Sequence, residues 1–380
     1  MNKVLILGSG LVSKPMIEYL LEHGLHITVA TRTISKADRM IAGNPNGRAV
    51  QWTTDRPEEL DALVSSHDLT VSLLPYKFHI DVAKTCLKHR KHLVTTSYVQ
   101  PAMQELDEAA KDAGVIFLNE VGLDPGIDHM SAMRIIDNVK NRNGKIEEFY
   151  SLCGALPAPE AVDNPMGYKF SWSPKGVVLA SRNGAQYLKH GREVIIEPVN
   201  LFKDRFSHLF PGLGELEVYP NRDSVSYIDI YGLQNISTMY RGTLRYKGWC
   251  ETLDLMKATG LIDDGDNDYK NKSYRQFVAG RAGVSGIDIR KELKEKPGVN
   301  ATETALDALE WLGLFSDTPM GYELISPFDI TSDLMIKKMW LGDNERDMVV
   351  MQHLFSVKYP DGKREVISSR MIDYGSPVTN

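Results

Sequence analysis

The sequence predicts an α/β protein: a doubly wound parallel sheet followed by a second, larger α+β domain. Three observations carry this. A glycine turn, Gly8-Ser9-Gly10, sits directly between a short apolar run and an amphipathic stretch. Apolar runs and helical stretches then alternate over roughly the first 120 residues, the pattern of a parallel sheet with crossover helices. After Gly122-Leu123-Asp124-Pro125-Gly126 strands and helices stop alternating. The chain has 380 residues. At about 150 residues per domain that suits two or three domains, and a core large enough to need no disulfide or metal staple.

Val4-Leu5-Ile6-Leu7 is a continuous apolar run, as a parallel strand buried on both faces requires. Beyond the glycines, Val12, Met16, Tyr19 and Leu20 recur at helical spacing, and Gly24 is placed to end the helix. Ile27–Ala30 reads as the second strand. In such a unit Gly8 permits the tight turn and Gly10 lets a pyrophosphate approach the backbone. The helix N-terminus then directs its N–H groups at the phosphates. Ser13 stands where a third glycine is usual and is small enough for close helix packing. A purely structural turn is the bland alternative; the position between strand and helix favours a dinucleotide site on a Rossmann domain.

The end of the second strand distinguishes cofactors. NAD enzymes usually hold the ribose 2′-hydroxyl with an acid there. Here Thr31-Arg32-Thr33 occupy the place and no acid occurs before Asp38. A guanidinium flanked by hydroxyls suits a 2′-phosphate, so the expected cofactor is NADP(H).

Further strands are expected at Ala49–Trp52, Leu69–Leu74, His92–Thr96 and Val115–Leu118, with helices at Ile80–His89 and Ala102–Ala113. Ligands of such sheets lie at the carboxyl ends of the strands, here marked by Leu74-Pro75-Tyr76, Thr96-Ser97-Tyr98 and Asn119-Glu120. Asp124 is placed to cap a helix beginning at Pro125 and running to about Val139, with Met130, Met133 and Ile136 on one side. Later strands are expected at Ile146–Cys153, Val194–Ile196, Leu216–Tyr219, Met239–Tyr246, Asp347–Tyr359 and Arg364–Tyr374, with a helical block over Gly248–Leu314. Strand alternation puts Arg241, Thr243 and Arg245 on one face. Together with Arg222 they suit a substrate bearing several carboxylates. Any one of them alone reads equally well as a solvated surface charge.

Composition excludes other classes. Lys plus Arg number 44 against 50 Asp plus Glu, a net charge of −6, which argues against nucleic acid as the principal partner. The three cysteines, Cys86, Cys153 and Cys250, are unclustered; this fits a reducing cytoplasm and, with no CxxC or HExxH, gives no reason to expect a metal site. No apolar run approaches the ~18 residues of a membrane helix, and the N-terminal run stops at Gly8, too soon for a signal peptide.

These residues resemble the saccharopine dehydrogenases of the L-glutamate-forming type, also called saccharopine reductases. The matching segments run in family order from residue 8 to about 353: GSGLVSKP, ATRT, SLLPY, TTSYVQPAM, NEVGLDPGIDHM, CGALPAPE, NPMGYKFSWSP, YPNRDS, RGTLRYKG, WLGLFSD and DNERDMVVMQH. The resemblance implies an NADP-binding Rossmann domain over 1–123 and an α+β substrate and dimerisation domain over 124–375. It implies an oxidoreductase that interconverts saccharopine and water with L-glutamate and 2-aminoadipate 6-semialdehyde in lysine metabolism. By resemblance Ser9, Gly10, Leu11 and Val12 cradle the pyrophosphate beside Gly8, and Thr31, Arg32 and Thr33 hold the adenosine phosphate end. Leu74, Thr96 and Ser97 flank the cofactor. The segment Leu123, Asp124, Pro125, Gly126, Ile127, Asp128, His129 and Met130 reaches its nicotinamide side. Ser97, Tyr98, Asp124, Arg222, Thr243, Leu244 and Arg245 match positions that contact saccharopine. Asp124, Tyr98 and Cys153 are the candidates for acid–base work, each with a structural alternative as cap, buried small hydrophobe or packed ring. A homodimer is compatible with the family.

Two departures stand out. Thr53-Thr54 replace an Asp-Val pair that the family often places near the adenine. The chain also ends at Ser376–Asn380, where the family continues past Asp373-Tyr374-Gly375 with a segment that returns to the Rossmann domain. A fragment, a truncated product and a short natural variant are equally open on that count. Two other functions remain: an imine-reducing dehydrogenase of a polyamine precursor such as carboxynorspermidine, and a catalytically silent cofactor-binding protein.

Overall fold

The computed structural model describes residues 2–376; positions 377–380, most of the expected tail, lie outside the described residues. The chain forms two compact units and passes from the first to the second between Ser131 and Ala132. Residues 124–131, expected with the second domain, thus pack with the first.

The first unit is a parallel sheet of β1 (Lys3–Leu7), β2 (His26–Thr31), β3 (Gly47–Gln51), β4 (Leu69–Ser72), β5 (His92–Thr95) and β6 (Phe117–Leu118). Its strand order is β3-β2-β1-β4-β5-β6, with every pair parallel. The order reverses between β1 and β4, the switch point at which such sheets bind dinucleotides. Alternation along β1 explains its unbroken apolar sequence. Leu5 and Leu7 enter one core with Val64, Val82 and Cys86, while Val4 and Ile6 enter another with Ile17, Val29 and Ile41.

Two expectations here need correction. The first helix is Lys14–Glu22 and buries Ile17 and Leu21; Val12 and Tyr19 are 61% and 59% exposed. Val12 precedes the helix and belongs to the glycine turn, so it never joins the helical stripe. The stretch Ala102–Ala113 is two helices, Pro101–Gln104 and Asp107–Ala113. The joint, Glu105-Leu106, contains no glycine or proline that would mark a break in the sequence.

The second unit is built on β7 (Lys145–Pro157), β8 (Ala185–Lys189), β9 (Arg192–Ile196), β10 (Phe206–Phe210), β11 (Gly214–Pro220), β12 (Thr238–Arg245), β13 (Asp347–Lys358) and β14 (Arg364–Tyr374). The main order is β10-β11-β12-β7-β13-β14, with β8 and β9 attached beside β12. Within that main order only β12 and β7 run parallel. The helical block resolves into Trp249–Ala258, Tyr274–Ala282, Ile289–Glu295 and Glu303–Leu312. Its helices share a large core with Leu152, Leu216, Val218 and Leu244 of the sheet. Sequence reading missed β8, β10 and the helix Pro327–Lys338. Helix Ile127–Asn141 buries Ala132, Ile136 and Val139 in a second core, while Met130 is 65% exposed. The buried stripe includes an alanine, which a search for large apolar residues passes over.

Candidate active site

In the first unit the glycine turn is held by short contacts. Gly8 has φ +110°, a conformation open to glycine, and a Cβ there would meet the Leu73 carbonyl oxygen at 3.3 Å. The Gly8 N–H donates to Ala30 O at 2.9 Å. Ser9 Oγ and Thr31 Oγ1 lie 2.7 Å apart and are buried, tying the turn to the end of β2. Ser13 is fully buried, and its hydroxyl donates back to Gly10 O at 2.8 Å rather than capping the helix. The first N–H groups of Lys14–Glu22 therefore have no side-chain cap.

A Cβ on Gly10 would meet nothing within 4 Å. An open space thus lies over backbone that can receive an anion, and the residues present fit a pyrophosphate. Leu11 and Val12 flank it, both exposed. The hydroxyl of Thr31, expected at the adenosine-phosphate end, is buried against Ser9. Arg32 and Thr33 are exposed and remain available for a 2′-phosphate. Thr53, where the family pattern departs, bonds Asp55.

The carboxyl ends of β4, β5 and β6 form a second group in this unit. Leu74 and Ser97 are half-buried and Thr96 is exposed. Tyr98 donates to Asp124 Oδ1 at 2.6 Å. Asp124 therefore does not cap a helix at Pro125: the helix begins at Ile127, and Asp128 Oδ1 accepts the Gly126 N–H at 2.7 Å. The chain turns so tightly here that a Cβ on Gly126, at φ +148°, would lie 2.1 Å from Gly122 O. Pro125, Gly126 and Asp128 face inward, Leu123 and His129 are half-buried, and Ile127 is exposed with Met130.

Glu120 joins the two loops. Its Oε1 accepts the Val99 N–H at 3.0 Å and its Oε2 lies 3.1 Å from His129 Nε2. His129 Nδ1 is 3.5 Å from Asp128. Sequence reading overlooked His79, which begins the helix His79–Lys88 and is buried between Ser72 and Ser97. No motif announced it; only the fold brings those hydroxyls to its ring.

In the second unit the register of the sheet assembles a polar row. Arg241 pairs with Ser151, Thr243 with Cys153 and with Tyr219, and Arg245 with Glu217. Residues directly opposite share a face, so Cys153, Thr243, Arg241 and Arg245 lie on one side of the sheet, as alternation predicted. Exposure differs from the solvated-face alternative. Arg241 and Arg245 are 2% and 6% exposed. Arg241 lies over the Tyr227 ring, and Arg245 over Tyr168 and Trp249, at 4.5, 4.9 and 5.6 Å.

Arg245 donates from one Nη to Leu244 O at 2.9 Å, while its Nε has no hydrogen-bond partner. Among the described residues no carboxylate pairs with it. Glu217, opposite it, is taken by Arg205 at 3.1 Å. The Leu244 side chain is fully buried in the apolar core on the other face, and its backbone carbonyl reaches the polar row. Arg222 is exposed in the loop after β11, at φ +51°. Cys153 is buried and not disulfide-bonded.

These two groups of residues can be compared with known proteins. Residues 4–118 match the family model of the saccharopine dehydrogenase NADP binding domain, and 122–379 that of the saccharopine dehydrogenase C-terminal domain. The saccharopine dehydrogenase [NADP(+), L-glutamate-forming] of Pyricularia oryzae is 40% identical over 389 residues, covering 99% of this chain and 85% of that protein. The mitochondrial alpha-aminoadipic semialdehyde synthase of Mus musculus is 39% identical over 98% of this chain, which spans 41% of that longer protein. Among solved structures, the apo saccharopine dehydrogenase (L-Glu forming) of Saccharomyces cerevisiae superposes with a TM-score of 0.86 at 35% identity, over 100% of this chain and 86% of that one. The chain belongs to the saccharopine dehydrogenase family.

Proposed function

We propose that this chain is an NADP-dependent saccharopine dehydrogenase of the L-glutamate-forming type, an enzyme of lysine metabolism. The observation that carries the reading is Arg245, a guanidinium buried on an interior strand with no carboxylate partner among the described residues. Leaving a charge buried and unpaired costs several kcal/mol. Such a site makes sense when a ligand supplies the anion. Saccharopine carries three carboxylates, and Arg245, Arg241 and Arg222 suit them bidentately. A polyamine precursor, richer in ammonium groups, would call for acids where these arginines stand.

When bound, NADP(H) supplies the hydride that passes to or from the carbon–nitrogen bond. The chain's own residues do the rest. The Gly8–Val12 turn and the uncapped helix receive the pyrophosphate, and Arg32 with Thr33 select the 2′-phosphate. The arginines of β12 fix the substrate's carboxylates, which removes most of the orientational freedom of two separately diffusing reactants. Forming and hydrolysing the imine requires proton transfers. Tyr98 holds a proton at Oη against Asp124 Oδ1, so the pair can give or take one at that point. Cys153, beside Thr243 on the polar row, is the third candidate.

The test is saccharopine-dependent reduction of NADP by the purified chain, with Arg245→Ala as control. A folded protein that binds NADPH yet never turns over saccharopine would overturn the reading and leave the polyamine-precursor reductase and the silent binder. Two finer points belong to the same reading. A homodimer is supported by β14, a sheet edge among the described residues that exposes Val366, Ile372 and Tyr374. A cytoplasmic setting is supported by three buried cysteines, none of them disulfide-bonded.

A further inference from the structure

His79 connects two hydroxyls at the carboxyl ends of neighbouring strands. Its Nδ1 is 3.0 Å from Ser72 Oγ, at the end of β4, and its Nε2 is 2.9 Å from Ser97 Oγ, just beyond β5. Ser72 is fully buried and His79 is 4% exposed, whereas Ser97 is only half-buried. The imidazole thus reaches from the interior to a hydroxyl at the rim where ligands of this fold bind.

Counting protons decides the direction of the chain. Burial pushes the His79 imidazole below its ordinary pKa, so it is neutral, with one ring nitrogen donating and the other accepting. If Nδ1 carried the proton, it would donate to Ser72, and the buried Ser72 hydroxyl would have no acceptor, since its side chain has no other partner among the described residues. A buried O–H left without an acceptor is strongly disfavoured. If Nε2 carries the proton, Ser72 donates to Nδ1, Nε2–H donates to Ser97 Oγ, and every proton is placed. Ser97 Oγ then accepts from the ring and keeps its own proton for an acceptor on the open side. Because Ser72 closes the chain inside the protein, the array orients a hydroxyl and carries no proton to or from solvent.

We propose that His79 is a positioning residue that presents the Ser97 hydroxyl as a hydrogen-bond donor to a carboxylate of the substrate. The inference rests on the reading that Ser97 contacts saccharopine, and the experiment separates the two.

Steady-state kinetics with saccharopine are compared for His79→Leu, His79→Asn, His79→Gln, Ser97→Ala and the His79→Leu/Ser97→Ala double variant, with NADPH affinity from fluorescence titration. A Gln amide reaches the place of Nε2, whereas an Asn amide reaches only that of Nδ1. The expected result is a KM for saccharopine raised ~10-fold in the Leu and Asn variants, with kcat and NADPH affinity within ~2-fold, as for a lost uniform binding contact. Gln recovers most of the loss, and the double variant is no worse than Ser97→Ala.

Effects of His79→Leu and Ser97→Ala that multiply, or equal losses in the Asn and Gln variants accompanied by weaker NADPH binding, overturn the proposal in favour of simple packing. An unchanged KM in Ser97→Ala overturns the substrate contact itself, and the proposal with it. Absence of saccharopine turnover by the wild-type chain overturns both at the outset.

Discussion

The glycine turn of the first unit and the arginine row of the second, the two proposed anion sites, are built in opposite ways. The turn uses backbone: Gly8 at φ +110°, open space over Gly10, and a helix N-terminus whose N–H groups have no side-chain cap. Those groups exist in any helix and cost the apo protein little. The row uses buried charge: Arg245 sits 6% exposed over Tyr168 and Trp249 with its Nε unmatched. That arrangement costs stability, and on the proposed function a ligand anion would relieve it. On the proposed function, the difference teaches that the backbone site is compatible with stability and the arginine row trades stability for recognition.

The largest expected effect tests that trade. Arg245→Met should lower kcat/KM for saccharopine by ~100-fold or more, as for loss of a charge-assisted contact worth roughly 3 kcal/mol. The ligand-free variant should unfold at no lower urea concentration than wild type, because an apolar chain replaces an unpaired charge. A clear loss of stability in urea melts would show that the guanidinium is held well without ligand, and the contrast between the sites would collapse.

Gly10→Val tests the other side. Its side chain enters open space, so the melting temperature should hold, while NADPH affinity by fluorescence titration falls ~10-fold or more as the branched chain fills the place of the pyrophosphate. Retained affinity would move the cofactor away from this turn. Arg32→Asp should be milder, weakening NADPH ~10-fold and narrowing or reversing the preference over NADH. Equal effects on both cofactors would remove Arg32 from 2′-phosphate recognition.

The smallest effect is in pH dependence, where the two units also differ. In the first, burial lowers the pKa of both His67 and His79. The unfolded chain then binds the extra protons, so this stability is present above the unfolded value of about 6.5 and is lost as pH falls below it. In the second, burial lowers Lys257 to about 8, against an opposing pull from Asp254. Its unfolded value of 10.5 lies higher, so the unfolded state again binds more protons and stability rises with pH from about 8 to 10.5. Urea midpoints measured across pH should show the acid loss flatten in His67→Gln/His79→Gln and the alkaline gain flatten in Lys257→Met. Unchanged slopes would mean that neither buried group titrates differently on unfolding.

Much of the first unit was legible along the chain. Val4–Leu7, the glycines and the second strand lie within thirty-one residues and signal each other locally. One expectation that failed there concerned facing: Val12 and Tyr19 looked inward by spacing, yet the helix starts at Lys14 and turns Ile17 and Leu21 to the sheet. Strands β8 and β10 escaped because Gln, Lys, Ser and His interrupt them. In the second unit the sequence placed Arg241, Thr243 and Arg245 on one side of a strand, because side chains alternate with period two wherever the strand lies.

The sequence by itself thus determined the β-α-β turn, the missing acid after β2 and the shared face of the arginines, all consequences of neighbours in the chain. Tertiary structure alone decided that Arg245 is buried with no carboxylate partner among the described residues, that Tyr98 meets Asp124 across 26 positions, and that His79 lies between Ser72 and Ser97. Periodicity states which residues share a face. Burial and hydrogen-bond partners depend on which distant segments pack against that face, and these are fixed only when strand order and register are.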